Sequence, residues 1–189
     1  MGQINRVFLD LDDTLNIFTT YLLFRKDAWP SPCSCKNYPG EFGYDIVTVY
    51  NYLSGSNVTP AQFWDIPQYV WAWAPRSLEF GLLLKCSEQL VGRENVFIAT
   101  KPTEDPRCAA GKMEWIKREC PPWLHRQFMI GPPKHLLAQP GHLLVDDSEE
   151  NCLDFNAAGG SSLLIPRPWN CARHLDAKKD IQEFFTKLC

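Results

Sequence analysis

Five short runs of apolar residues constrain the fold of this chain more than any other feature of its sequence. The runs span residues 7–9, 96–99, 128–130, 143–145 and 162–165. They are nearly continuous rather than alternating, as is typical of parallel strands that helices cover on both faces. Apolar residues at helical spacing separate the later runs, so we predict an α/β fold with a doubly wound parallel sheet.

A long segment directly after the first run interrupts this alternation. Residues 15–75 far exceed the roughly two to six residues of an ordinary strand-to-helix loop, and they are rich in aromatic residues. Within the segment, Thr59, Pro60 and Gln62 form the start signal of a helix: an N-cap, a proline at the first position and a capping box. We predict a helical cap over residues 15–75, inserted into a core of residues 1–14 and 76–189.

Carboxylates, a hydroxyl and a lysine flank the predicted strands at the edge where open α/β sheets bind ligands, beyond the carboxyl ends of the strands. In chain order they are Asp10, Asp12, Thr100, Lys134, Asp146 and Asp147. Asp10 and Asp12 lie two residues apart in an extended segment, so their side chains point the same way. Two carboxylates held together repel each other unless a cation or a shared proton relieves them.

This set of groups suits phosphoryl transfer. Carboxylate oxygens bind Mg²⁺, and a metal ion together with a lysine neutralises a phosphate so that an anionic nucleophile can approach it. One carboxylate can attack phosphorus to form an aspartyl-phosphate, while a second serves first as acid and then as base.

The order of these groups resembles that of the four motifs of the haloacid dehalogenase-type (HAD) phosphatases, with Asp-x-Asp-x-Thr at residues 10–14 as the first motif. The resemblance implies that Asp10 is the nucleophile and a metal ligand. It implies that Asp12 protonates the leaving oxygen, then activates water, and lends its backbone carbonyl to Mg²⁺.

The later motifs carry roles by the same resemblance. Thr100 and Lys134 would hold the phosphoryl group, with Lys101 as a further phosphate contact. Asp146 would bind Mg²⁺, and Asp147 would act as a ligand through water or would support the ligands.

The cap segment is similar to that of the 5′(3′)-deoxyribonucleotidases, in which an aromatic residue follows the nucleophile by eight positions and further aromatic residues precede a proline. Phe18, Trp64, Trp71 and Trp73 occupy such positions here. The resemblance implies that these four residues bind substrate, with Phe18 and Trp64 sandwiching or flanking a nucleobase, a contact worth ~1–3 kcal/mol in nucleic-acid stacking.

The chain departs from this family at two places. Lys101 stands where the family usually has a small hydroxyl residue, and Pro132 and Pro133 replace a charged pair before Lys134. The segment from residue 26 to residue 44 does not align with the family at all.

The net charge and the composition argue against some classes of binding partner. With 19 basic and 22 acidic residues the net charge is −3, which argues against binding to a nucleic-acid polymer. No window approaches the ~20 apolar residues that cross a bilayer, and the N-terminus lacks the apolar region of a signal peptide. We therefore expect a cytoplasmic enzyme that uses Mg²⁺ and acts on a small phosphomonoester, namely a nucleoside monophosphate. The sequence allows a homodimer but does not require one.

The eight cysteines are expected to be reduced in such a setting. Cys33 and Cys35 form the one close pair, and no Cys-x-x-Cys or histidine pair completes a zinc site with them.

Other functions stay open at this point. A receiver domain also uses an acidic pair, a threonine and a lysine, but it has neither a second acidic pair late in the chain nor a cap. A non-catalytic phosphate-binding protein on the same fold would not need every catalytic group. A phosphatase for a sugar phosphate or another small metabolite is expected to have a polar cap, whereas this cap segment is rich in aromatic residues. A polynucleotide 3′-end phosphatase is expected to have a basic surface, whereas the net charge here is −3.

Overall fold

The computed structural model describes residues 3–33, 37–131 and 133–188. Its centre is one sheet of five strands in the order β3-β2-β1-β4-β5, and every neighbouring pair is parallel. The strands are β1 (Arg6–Leu9), β2 (Val96–Thr100), β3 (Phe128–Ile130), β4 (His142–Asp146) and β5 (Ser161–Leu164). Each predicted apolar run is a strand, so the predicted α/β class with a parallel sheet is confirmed.

Helices connect the strands. They are α1 (Phe18–Arg25), α2 (Ile46–Ser54), α3 (Pro60–Trp64), α4 (Gln68–Ala72), α5 (Phe80–Val91), α6 (Pro106–Glu119), α7 (Glu149–Ala157) and α8 (Ala177–Thr186). The first four lie within residues 15–75, which we call the cap segment. The helix start predicted at Thr59 is present: its hydroxyl accepts from Gln62 N, and Gln62 Oε1 accepts from Thr59 N at 2.8 Å.

Strands β1 and β4 form the centre of the hydrophobic core. Val7, Leu9, Leu143 and Val145 are fully buried on one face of the sheet, and Phe8 and Leu144 pack with Phe155 on the other. The edge at which these strands end is therefore held in place by packing on both faces. Among the described residues, no helix combines the length and the apolar character that a membrane span requires.

The cap segment is attached to the core where α4 crosses α6. Gly111 on α6 permits a very close approach, because a Cβ at this position would lie 2.5 Å from Trp71 Cβ and 2.7 Å from Gln68 O. Buried Trp115, also on α6, donates its indole N–H to Ala74 O at 2.6 Å. These contacts hold Trp71 in position above the edge of the sheet.

Two regions singled out in the sequence fall partly outside the described residues. Cys33 is exposed, whereas Cys35 lies in the segment 34–36 outside the described residues, so the pair is not tested. Pro132, the first of the two prolines before Lys134, also lies outside them.

Candidate active site

The site lies at the carboxyl ends of β1 and β4. These strands are neighbours in register, with Leu9 opposite Val145, so Asp10 and Asp146 follow at the same level of the sheet. Asp10, Asp146 and Asp147 are all buried, and one carboxylate oxygen from each lies within 4.8 Å of the others. Adjacent parallel strands thus bring Asp10 together with two acids that follow it by more than 130 residues in sequence.

Lys134 closes this cluster from the short 3₁₀ turn that precedes β4. Its ammonium contacts Asp10 Oδ1 and donates to Asp146 Oδ2 at 2.5 Å, and its side chain is 6% exposed. Asn151, on α7, also donates to Asp146 Oδ2 at 3.1 Å. One buried lysine therefore pairs with two of the three carboxylates, Asp10 and Asp146.

Burial determines how these groups ionise. Burial raises the pKa of Asp10 to about 7, although the charge of Lys134 acts in the opposite direction. The pKa of Asp147 is raised well above its usual range by burial and then by the charges of Asp13 and Asp146. Burial alone would lower the pKa of Lys134, but the carboxylates of Asp10 and Asp146 raise it. A cluster of this kind takes up protons unless a cation replaces them.

The donor set fits Mg²⁺, because the ion prefers carboxylate oxygens and takes only a few of them in proteins. Asp10, Asp146 and Asp147 are the residues that would hold it. The carboxylate of Asp12, also predicted as a metal ligand, lies outside this set and is paired with another lysine. The metal contribution expected of Asp12 is its backbone carbonyl, which stays a prediction.

That second lysine, Lys112, was missed by the sequence analysis. Its ammonium lies 2.7 Å from Asp12 Oδ2, donates to Thr100 Oγ1 at 2.8 Å and donates to Lys101 O at 2.7 Å. Only 3% of its side chain is exposed. A signal was present in the sequence, since Lys112 interrupts the apolar face of α6 that Cys108 and Ile116 share at a spacing of four residues.

The other predicted phosphate contacts divide into two groups. Thr100 is buried with its hydroxyl beside Lys112, and Lys134 is within the carboxylate cluster. The side chain of Lys101 is exposed at the rim, where the residue contributes its backbone carbonyl to Lys112.

Three of the four predicted cap aromatics meet in one stack. The rings of Phe18 and Trp71 lie 4.3 Å apart with an interplanar angle of 8°, and those of Trp64 and Trp71 lie 5.8 Å apart at 11°. Because Trp71 stacks on both other rings, the predicted placement of a ring between Phe18 and Trp64 would require Trp71 to move, whereas the predicted flanking placement would not.

The structure does not bring Trp73 to this stack. Trp73 follows the last residue of α4, is 57% exposed and lies beneath the guanidinium of Arg118 at 4.2 Å. Two residues rotate a helix by roughly 200°, so Trp71 and Trp73 point to opposite sides. The assignment of Trp73 to the substrate pocket is therefore corrected.

A pocket of about 280 Å³ joins the acidic cluster to the aromatic stack. Besides the predicted residues, its lining includes Tyr44, Thr103, Lys112, Ser148, Glu150 and Asn151. A wider surface groove of about 640 Å³ lies beside Tyr38, Glu41 and Arg173. None of the predicted site residues lines that groove, so the smaller pocket is the candidate active site.

Tyr44 and Trp169 form one wall of the pocket region and were also missed. The Trp169 indole N–H donates to Asp147 Oδ2 at 2.7 Å, and the Tyr44 ring contacts Trp169 edge-on at 5.9 Å. Although Tyr44 is 52% exposed overall, desolvation of its hydroxyl raises its pKa well above the usual value, and the charges of the nearby aspartates raise it further. The Tyr44 hydroxyl therefore stays protonated in the pocket that Asp10, Asp12 and Asp147 also line.

Comparison with solved structures finds proteins of similar fold that are described as HAD-type hydrolases. HAD-hydrolase YfnB from Bacillus subtilis, solved bound to magnesium, matches with a TM-score of 0.61 and 13% identity over 98% of this chain and 99% of its own. A HAD-family hydrolase from Deinococcus radiodurans R1, solved with phosphate and sodium, matches with a TM-score of 0.56 and 15% identity over 100% and 97%. A HAD-superfamily hydrolase from Geobacter sulfurreducens PCA matches with a TM-score of 0.54 and 17% identity over 97% of each chain.

No protein-family model matches the chain, and no curated protein matches its sequence. At such low identities the structural likeness establishes the fold, and it does not extend to a substrate.

Proposed function

We propose that this protein is a Mg²⁺-dependent phosphomonoesterase that hydrolyses nucleoside monophosphates through an aspartyl-phosphate intermediate. The observation that carries the proposal is the cluster of Asp10, Asp146 and Asp147 with Lys134 at the carboxyl edge of the sheet. Bound Mg²⁺ would neutralise the charge of the phosphoryl group there. The proposal is consistent with the magnesium and the phosphate held by two proteins of similar fold.

In the first step, a carboxylate oxygen of Asp10 attacks phosphorus and the bond to the ester oxygen breaks. The carboxylic acid of Asp12 gives its proton to that leaving oxygen, and the alcohol departs. Asp12 is well oriented for this transfer, because Asn16 donates to its Oδ1 at 3.1 Å and Lys112 holds its Oδ2 at 2.7 Å.

In the second step, the Asp12 carboxylate takes a proton from water, and the resulting hydroxide attacks the phosphorus of the aspartyl-phosphate. The bond to Asp10 breaks, phosphate leaves, and both carboxyl groups return to their starting forms. Lys134 and Lys112 stabilise the negative charge that develops on the phosphoryl oxygens in both steps.

The test is release of inorganic phosphate from a panel of nucleoside monophosphates, sugar phosphates and p-nitrophenyl phosphate, with Mg²⁺ and with excess chelator. Wild-type protein is expected to turn over nucleotides only with Mg²⁺. Asp10→Asn is expected to lose about 1,000-fold or more of this activity, whereas Asp154→Asn, on the exposed face of α7, is expected to keep it. Full activity in excess chelator would contradict the proposal.

The nucleoside part of the proposal rests on the aromatic stack. Flat apolar rings suit a nucleobase, whereas a sugar would call for several hydrogen-bonding side chains. Trp64 is half-buried beside the pocket, so Trp64→Ala is expected to raise KM for a nucleoside monophosphate about 10-fold and to spare p-nitrophenyl phosphate. Trp73→Ala, an exposed tryptophan outside the pocket, is the matched control. Equal KM values for the two variants would exclude base stacking on Trp64.

A second candidate is a phosphatase for a smaller phosphomonoester. It is favoured by the modest pocket volume of about 280 Å³ and by Trp71, which covers part of the two neighbouring rings. The same panel of substrates distinguishes the two candidates. If the second is correct, sugar phosphates are hydrolysed in preference to nucleotides, while the dependence on Asp10 and on Mg²⁺ is unchanged.

A further inference from the structure

Tyr44 is a cap residue with no part in the mechanism above, although it lines the same pocket as the catalytic carboxylates. Tyr44 lies in a turn between two residues of defined backbone role. Gly43 takes a positive φ of 57°, and Asp45 caps α2 by accepting from Thr48 N at 3.1 Å. Tyr44 therefore directly precedes the N-cap of α2, at the wall of the pocket.

The ring and the hydroxyl of Tyr44 have different surroundings. The ring packs edge-on against Trp169, which itself holds Asp147. Tyr44 lines the pocket together with Asp10, Asp12 and Asp147, and 52% of the residue is exposed. No hydrogen bond joins its hydroxyl to another residue of the described part of the chain. The hydroxyl is therefore a donor at the wall of the pocket that holds these carboxylates, and it is available to a ligand bound there.

We propose that the Tyr44 hydroxyl donates a hydrogen bond to the phosphoryl group of the substrate, so that the cap segment as well as the core binds this group. The inference rests on the proposed function. A neutral hydroxyl suits this role, because a further cation at this wall would instead pair with the carboxylates that Lys134 and the metal must share. A phosphoryl oxygen carries the charge that makes such a bond strong.

The contact also means that a bound phosphoryl group interacts with the cap segment as well as with the core. The nucleophile, Thr100 and both lysines belong to the core, whereas Tyr44 comes from the cap segment. A substrate that engages Tyr44 therefore bridges the two parts of the chain through its phosphoryl group, whatever its leaving group is.

The test compares Tyr44→Phe with Tyr52→Phe in the full-length protein with Mg²⁺. Tyr52 lies on α2 in the same cap segment, is 63% exposed and does not line the pocket. Phenylalanine keeps the ring contact with Trp169, so both variants are expected to unfold at nearly the wild-type temperature. Calorimetric titration with inorganic phosphate is expected to show about 10-fold weaker binding for Tyr44→Phe only, since hydrogen bonds to charged groups are the strong ones.

Turnover separates this contact from a base contact. Loss of a phosphoryl contact is expected to lower kcat/KM about 10-fold for p-nitrophenyl phosphate and for a nucleoside monophosphate alike, whereas loss of a base contact affects the nucleotide alone. Mg²⁺ affinity without phosphate is expected to be unchanged.

Three outcomes would overturn the inference: wild-type phosphate affinity in Tyr44→Phe, an equal loss in Tyr52→Phe, or Mg²⁺ binding weakened as much as phosphate binding. Failure of the proposed function looks different. If wild-type protein binds phosphate but hydrolyses no phosphomonoester, the enzyme assignment falls, and the Tyr44 contact stands provided that Tyr44→Phe alone weakens phosphate binding. Wild-type protein that binds no phosphate would contradict both.

Discussion

Lys112 contacts three groups from different parts of the site: the carboxylate of Asp12, the hydroxyl of Thr100 and the carbonyl of Lys101. A lysine that is almost fully buried is retained only where charged or polar partners surround it. Through this one ammonium, α6 positions both the carboxylate that we propose as proton donor and the hydroxyl that we propose as a phosphate contact.

Replacing Lys112 by methionine is therefore expected to lower kcat for p-nitrophenyl phosphate by about 10- to 100-fold, because Asp12 and Thr100 lose their common donor. Lys117→Met is the control, since Lys117 lies on the exposed face of the same helix. Turnover and thermal unfolding are measured together. Equal kcat values for the two variants would remove Lys112 from the catalytic arrangement.

At the scale of elements, the crossing of α4 over α6 determines the shape of the pocket. Trp71 lies on α4 and stacks on Phe18 and Trp64, so the aromatic wall moves with this helix. Gly111 is a position of very close approach between the two helices, and the atoms that oppose it are backbone or Cβ atoms that cannot swing away.

A matched pair of glycine substitutions tests this contact. Gly111→Ala is expected to destabilise the protein by about 1–3 kcal/mol, as overpacking does, and to raise KM for a nucleoside monophosphate. Gly81→Ala, on α5 with nothing within 4 Å of the added Cβ, is expected to stabilise it by up to about 1 kcal/mol. Chemical denaturation measures both. If Gly111→Ala were as stable as wild type, the crossing would not be tight.

At the scale of the whole molecule, the buried acids link stability to pH. The pKa values of Asp10 and Asp13 are raised by burial to about 7, and that of Asp147 is raised as well. Between pH of about 4 and 7 the folded protein therefore holds protons that the unfolded chain has released. The stability that these groups contribute is present at low pH and is lost as pH rises through about 7.

Mg²⁺ is expected to reverse this loss, because it binds the ionised carboxylates of the folded state only. The increase in Tm on adding Mg²⁺ to chelator-treated protein is therefore expected to be larger at pH 8 than at pH 6. Thermal unfolding with and without Mg²⁺ measures it, with Asp147→Asn as the variant in which the difference shrinks. An equal increase at both pH values would show that the acidic cluster does not hold the ion.

Local patterns in the sequence determined the parallel sheet, the helix start at Thr59 and the chemistry-bearing residues at the strand ends. Continuous apolar runs and capping residues act over a few positions, and parallel strands necessarily end at one edge. The meeting of Asp10, Lys134 and Asp146 at one edge of the sheet could therefore be predicted without a structure, whereas their roles stay predictions.

Only the tertiary structure decided which side chains complete the pocket. Lys112 lies on α6, Tyr44 in the turn before α2 and Trp169 in the segment after β5, so only the packing of these separate segments brings the three together. The same packing stacks Trp71 on its neighbours and turns Trp73 to solvent, although both tryptophans occur in one aromatic run. Side-chain direction across a helix crossing is set by contacts between distant segments, and no spacing within a single segment encodes it.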